Sequence, residues 1–150
     1  MVYSEFLTEV REDMEANLNA FLTQAGLEGV RSFCTDGFSV ERLDRSLAVY
    51  AFSPNGPVME DDGTECTVRF TVEFFLNASE GDAASLSELE EYFSALAFYI
   101  THRRYGGNGT IGNSQLSRMD QGDMCNECLF LVESTIDTRM DYAETYPAMS

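Results

Sequence analysis

Glu65-Cys66-Thr67-Val68-Arg69-Phe70-Thr71-Val72-Glu73-Phe74-Phe75-Leu76 is the stretch on which the fold turns. Cys66, Val68, Phe70, Val72, Phe74 and Leu76 alternate with Thr67, Arg69, Thr71 and Glu73. This is the period of two that sends successive side chains to opposite faces of a strand. One face is apolar and the other wetter, as in a sheet that carries a packed layer on one side. A strand beginning at Thr64 or Glu65 and ending at Leu76 is therefore expected in the middle of the chain, with other elements covering its apolar face.

Upstream, Tyr3, Phe6, Val10, Met14, Leu18, Phe21, Leu22 and Ala25 recur at steps of three and four, one face of a helix over residues 2–25. Gly26 should end it, because glycine leaves a helix at little steric cost. Glu5, Glu9, Glu12, Asp13 and Glu15 lie on the other face near the positive end of the helix dipole and read as a solvated surface. Val30 to Cys34 suits a short strand, and Arg45 to Phe52 a longer one. Ser53-Pro54-Asn55-Gly56-Pro57 ends the latter, since two prolines cannot continue a central ladder. The connection should run on through Met59-Glu60-Asp61-Asp62-Gly63 as an exposed acidic tip.

Downstream, Ser85-Leu86-Ser87-Glu88 has the spacing of a capping box opening a helix over 85–104. Leu86, Leu89, Phe93, Leu96 and Ile100 form its stripe, widened by Tyr92 and Tyr99. It ends in His102-Arg103-Arg104, which suits a helix C-terminus. Gly106-Gly107-Asn108-Gly109 follows as a stop and flexible connection; it has no phosphate-loop lysine and succeeds a helix where a phosphate loop precedes one. The last third reads as a hairpin, with Thr110 to Arg118 as one arm, Met119 to Asn126 as its turn and Glu127 to Asp137 as the other arm. The second arm is apolar on both faces near its start and belongs inside the sheet. The expected fold is α+β: an antiparallel-dominated sheet of four to five strands with two helices packed on one face, in a single domain over 1–150 with an irregular tail over 138–150.

Composition narrows the function classes. Of 150 residues, 44% are apolar and 12% aromatic, enough to build a core without staples. No apolar run reaches the length of a membrane span, and Met1 to Arg11 lacks the pattern of a secretory leader, so a soluble, unsecreted protein is expected. Twenty-six acidic residues against nine basic ones, all arginine, give a net charge of −17. Such a surface repels phosphates and argues against DNA binding through a basic patch.

The chemistry-bearing residues are sparse. His102 is the single histidine, and its place at a helix end fits electrostatics better than nucleophilic catalysis. Glu60, Asp61 and Asp62 could touch a hard cation but lack the spaced oxygen ligands of a calcium loop. Cys125-Asn-Glu-Cys128 has a two-residue spacer that could serve a metal or a redox loop, and Cys34 and Cys66 would complete a four-sulfur site only if the fold gathered all four. Ordinary reduced cysteines are the better expectation. No catalytic residue, cofactor or metal is expected, and the chain does not read as an enzyme.

The layout resembles the tail terminator or tail completion proteins of long-tailed bacteriophages. The resemblance runs from the helix at 2–25, through the strand at 65–76 and the helix at 85–104, to the closing arms at 110–137; it is one of order and size. It implies a hexameric ring that caps the tail tube, stops its polymerisation and joins tail to head. The implied partners are further copies of the chain, the tail-tube protein and a head-side connector, with DNA only as passing cargo and no membrane. The implied location is the head-proximal end of the virion tail, after assembly in the host cytoplasm. An anionic channel wall would let DNA slide with little adhesion. Candidate interface or channel residues are Glu60, Asp61, Asp62, Arg103, Arg104, Arg118, Asp120, Asp123, Tyr142 and Tyr146. The alternatives are another connector subunit, a stopper or adaptor, and an acidic DNA mimic that inhibits a host protein.

Overall fold

The chain folds in the order α1 (Tyr3–Gln24), β1 (Ser32–Cys34), β2 (Ser46–Tyr50), β3 (Met59–Asp61), β4 (Cys66–Asn77), α2 (Ala83–His102), β5 (Gly107–Arg118) and β6 (Cys125–Ile136). The computed structural model describes residues 3–34, 44–63, 65–77, 83–105, 107–118 and 125–136, with the backbone alone at 34, 83–85, 107–118 and 125–126. The strands form one sheet in the order β1-β2-β4-β6-β5, and short β3 also pairs with β4. β1 lies parallel to β2; the other pairings are antiparallel. The architecture is α+β, as the order of elements predicts.

β4 and β6 are the spine of the sheet, paired from Cys66 opposite Ile136 to Asn77 opposite Cys125. The alternating set of β4 faces the helices together with Leu47 and Val49 of β2 and Cys128, Phe130 and Val132 of β6. α1 lays Phe6, Val10, Met14, Leu18 and Leu22 on this face, and α2 lays Leu89, Tyr92, Leu96 and Ile100 beside them. Both helices therefore cover one face. Tyr92 stacks on Phe74 at 4.7 Å and Phe93 on Phe130 at 5.2 Å between ring centroids, while Phe6 meets Phe70 edge-on at 6.0 Å. Phe6, Phe70, Phe74, Tyr92 and Phe130 are fully buried, and each such ring contributes about 2 to 3 kcal/mol relative to exposure.

α1 stops where glycine allows it. Gly26 has φ +82°, its N–H donates to the Thr23 carbonyl at 3.0 Å, and the Leu27 N–H donates to the Leu22 carbonyl at 2.9 Å. These two bonds are a Schellman closure, which satisfies carbonyls that the helix end would otherwise orphan.

Several local expectations are corrected. α2 begins at Ala83, so Ser85 lies inside the helix, and the Glu88 carboxylate bonds Arg45 at 2.6 Å in place of a capping-box backbone group. Arg45 does not open β2; it occupies a left-handed turn with φ 53°. The acidic tip is partly a strand, because Met59, Glu60 and Asp61 pair with Val68, Thr67 and Cys66. Gly107 to Gly109 belong to β5, paired with Ser134 to Ile136, so ladder bonding overrides the weak strand preference of glycine. The face of β4 expected to be wetter is largely buried, at Thr71, Glu73 and Phe75. There Tyr50 donates to Glu73 at 3.3 Å and Thr71 donates to the Phe52 carbonyl at 2.8 Å.

Candidate functional site

Among the described residues, charged side chains gather across elements in three clusters of groups bonded to one another, the third being Arg69 of β4 between Glu60 of β3 and Glu133 of β6, each at 2.8 Å. In the first, Asp13 of α1 receives the hydroxyls of Tyr99 at 2.9 Å and Tyr105 at 2.6 Å, the Asn17 amide at 2.9 Å, and the Arg103 guanidinium. Burial works to raise the Asp13 pKa, but these donors together outweigh it and hold the carboxyl below its ordinary range. Burial, and then the adjoining carboxylate, push Tyr99 and Tyr105 well above the usual phenol value. The cluster fastens α1 to the end of α2.

Arg45 centres the second cluster. With 13% of its side chain exposed, it reaches Asp44 at 2.5 Å, Glu88 at 2.6 Å, Tyr92 at 3.2 Å and Glu28 at 3.3 Å. Tyr92 donates onward to the Glu28 carbonyl at 2.8 Å, and Asp44 also accepts from the Asn77 N–H at 2.9 Å. One guanidinium thus ties the segment after α1, the entry to β2, the end of β4 and the first half of α2. Burial lowers its pKa, and Tyr92 and Asp44 more than restore it, so the net shift is upward.

One aromatic ridge is turned outward on the helix layer. Phe98 stands on the outer surface of α2 with 55% exposure, stacked flat on Phe21 of α1 at 6.0 Å and on His102 at 4.0 Å. The Nδ1 of His102 lies 2.8 Å from the Phe98 carbonyl, which can only accept, so this nitrogen carries the proton. Open grooves flank the ridge. One, of about 740 Å³, is lined by Phe21, Ala25, Leu27 and Ala95 with Glu90 and Glu91; the other, of about 320 Å³, by Asn17, Ala20, Gln24 and Tyr99. An exposed apolar feature on a strongly charged protein marks a contact surface more often than a reaction centre.

The candidate residues are scattered. Glu60 is on β3 and bonds Arg69 at 2.8 Å. Asp61 accepts from the Gly63 N–H at 2.9 Å and Asp62 from the Glu65 N–H at 2.7 Å, so both carboxylates shape the turn that carries them. Arg103 is committed to Asp13 while 41% of its side chain stays exposed. Arg104 bonds the Thr101 carbonyl at 3.1 Å, closing the end of α2. Arg118 ends β5, with its side chain outside the described residues, and Asp120, Asp123, Tyr142 and Tyr146 lie outside them altogether. Asp13, assigned from sequence to a solvated face, is instead the acceptor at the centre of a cluster.

Cys66 and Cys128 are not brought together. Cys128 lies opposite Phe74, and Cys66 is eight residues further along β4, roughly 27 Å away at strand rise. Positions 125 and 128 sit in an extended strand, where an interval of three alternates faces. Cys66 and Cys128 are buried thiols; burial pushes Cys128 up to about 12 and raises Cys66 as well. Among the described residues, no group of three or more His, Cys, Asp or Glu is placed to hold a metal ion, and no helix is long and apolar enough to cross a membrane. Comparison with protein-family models and with curated proteins finds no match for this chain.

Proposed function

We propose that the chain is a structural subunit of the phage tail-terminator kind, which closes into a six-membered ring over the end of the tail tube and joins it to the head. The element order supports this reading: helix, strands, helix and closing strand pair, with both helices on one face of a mostly antiparallel sheet. The observation that carries it is the Phe98 ridge, an exposed aromatic contact surface on a chain of net charge −17. Its partners in this reading are other copies, the tail-tube protein and a head-side connector, and its place is the head-proximal end of the virion tail. The acidic surface would let DNA pass without adhesion. A DNA mimic is less well supported, since Glu60 is paired with Arg69 and Asp61 and Asp62 are turned back on their own backbone.

The test is electron microscopy and light scattering of the purified chain with polymerising tail-tube protein. Rings seated on tube ends, with elongation stopped, are expected. Rings that bind only a head-side protein would favour a stopper or adaptor. A monomer that leaves tube growth untouched would overturn the reading.

A further inference from the structure

We propose that the Phe98 ridge of one copy seats the Phe52 loop of a second copy, joining subunits head to tail. The proposal rests on the ring reading above and names the two surfaces that would make it.

Phe98 and Phe52 are the large hydrophobic side chains that stand exposed among the described residues, at 55% and 45%. They sit on opposite sides of the molecule. Phe98 crowns the outer surface of the helix layer. The Phe52 ring rests 6.5 Å from that of Tyr50, whose hydroxyl meets Glu73 on the sheet face turned away from the helices. Contact between two patches on opposite faces is heterologous: each joined pair still offers one free patch of each kind, so the contact propagates until a rotation closes it.

Charge permits this pairing. In a chain with 26 acidic residues, positions 46–59 contain no charged residue, and neither do 16–27 or 92–101. The first of these runs carries Phe52. The other two carry Phe21 and Phe98. Glu90 and Glu91 line the groove beside Phe98, so an uncharged loop such as 46–59 can enter it without a like-charge contact, and a buried aromatic anchor then supplies most of the contact energy. The Phe52 loop is also suited to dock with little ordering cost, because Pro54 and Pro57 restrict Ser53 to Val58 before any contact forms. The groove of about 740 Å³ beside Phe98 has room for an aromatic ring and a proline, and Phe21, Ala25 and Ala95 give it an apolar wall.

The test uses the full chain with Phe98→Glu and Phe52→Glu, each by itself and as an equimolar mixture, in sedimentation velocity. Both positions are exposed, so melting temperatures should stay within a few degrees of the parent, and Phe98→Ser and Phe52→Ser separate loss of the anchor from added charge. Each variant should lose the parent's assembly. The mixture should form a dimer and nothing larger, because each partner keeps the half that the other lacks. A parent ring that survives both substitutions would overturn this interface and leave the ring reading standing. So would loss from one variant only, or a mixture that stays monomeric. A parent chain that is monomeric at every concentration, with or without tail-tube protein, would remove both.

Discussion

The Tyr105 hydroxyl sits 2.6 Å from the Asp13 carboxylate, across 92 residues of sequence, and joins the start of the chain to the segment that leaves α2. Asp13→Asn should destabilise the fold by about 2 to 3 kcal/mol, because an amide oxygen cannot serve the two phenols and the guanidinium that a carboxylate serves. The melting temperature should fall by roughly 5 to 10 °C. Urea unfolding with an unchanged slope would attribute the loss to stability alone.

The same residue sets an acid limb. Its folded-state pKa is depressed, so its stabilisation is present above the ordinary carboxylate pKa and is lost as pH falls through the folded value. Stability measured from neutral pH downward should therefore drop below about pH 4. Asp13→Asn should flatten part of that drop. An identical acid limb in both proteins would show that other carboxylates carry it.

At alkaline pH the sign reverses in cause but not in outcome. Burial raises the pKa of Tyr99, Tyr105 and Tyr3, the last to about 12. A neutral form favoured by the fold gives stability that is whole below the unfolded phenol pKa, near 10, and declines as pH rises toward the folded values. Ultraviolet titration should show these phenols ionising only as circular dichroism reports unfolding. Tyr99→Phe should reduce the steepness of that limb while lowering stability at neutral pH by about 1 kcal/mol for the lost hydrogen bond.

Arg45 gives a test of geometry against charge. Arg45→Lys keeps the cation but replaces a flat fork that meets Asp44, Glu88 and Tyr92 with a single point charge. It should cost about 1 to 2 kcal/mol, and Arg45→Ala about 2 to 3 kcal/mol, since Glu88 and Tyr92 then lose this partner while Asp44 and Glu28 keep Arg31. Arg45→Gly removes the same bonds yet relieves the left-handed backbone, so it should be the milder of the two truncations, by about 1 kcal/mol. Equal losses for alanine and glycine would mean that the turn carries no strain.

The elements that periodicity governs were legible in the sequence. The alternation of Cys66 to Leu76 gave a strand, the stripe from Tyr3 to Leu22 a helix, and the two-sided apolar start of β6 an interior position. Contacts between distant residues left no local trace. Nothing near Asp13 indicates that Tyr99, Arg103 and Tyr105 will converge on it, and arginine is not a residue type that signals a left-handed turn at position 45. β3 escaped because three residues, two of them acidic, carry no period; Arg69 holds it by bonds to Glu60 and to the Pro57 carbonyl. The Phe98 ridge had a readable signal, an aromatic two positions past Leu96 and off the buried stripe of α2, where a solvated helix face favours polar residues.

Asn19 and Gly29 supply the last prediction, which concerns how α1 is fastened to the first strand. The Asn19 amide clasps Val30 from both sides: the Val30 N–H donates to Oδ1 at 2.7 Å, and Nδ2 donates to the Val30 carbonyl at 3.1 Å. Gly29 lies against this amide so closely that a Cβ at position 29 would stand 2.8 Å from the Asn19 Cγ. A methyl there must displace the side chain, and both bonds go with it. Gly29→Ala should therefore cost about 1 to 3 kcal/mol, although alanine normally gains stability over glycine by restricting the unfolded chain. Asn19→Ala should cost a similar amount by removing the clasp directly. In the double variant the two losses should fail to add, because the clasp can be broken only once. Full additivity in a double-mutant cycle by urea unfolding would show that the close approach at Gly29 and the clasp on Val30 are separate features.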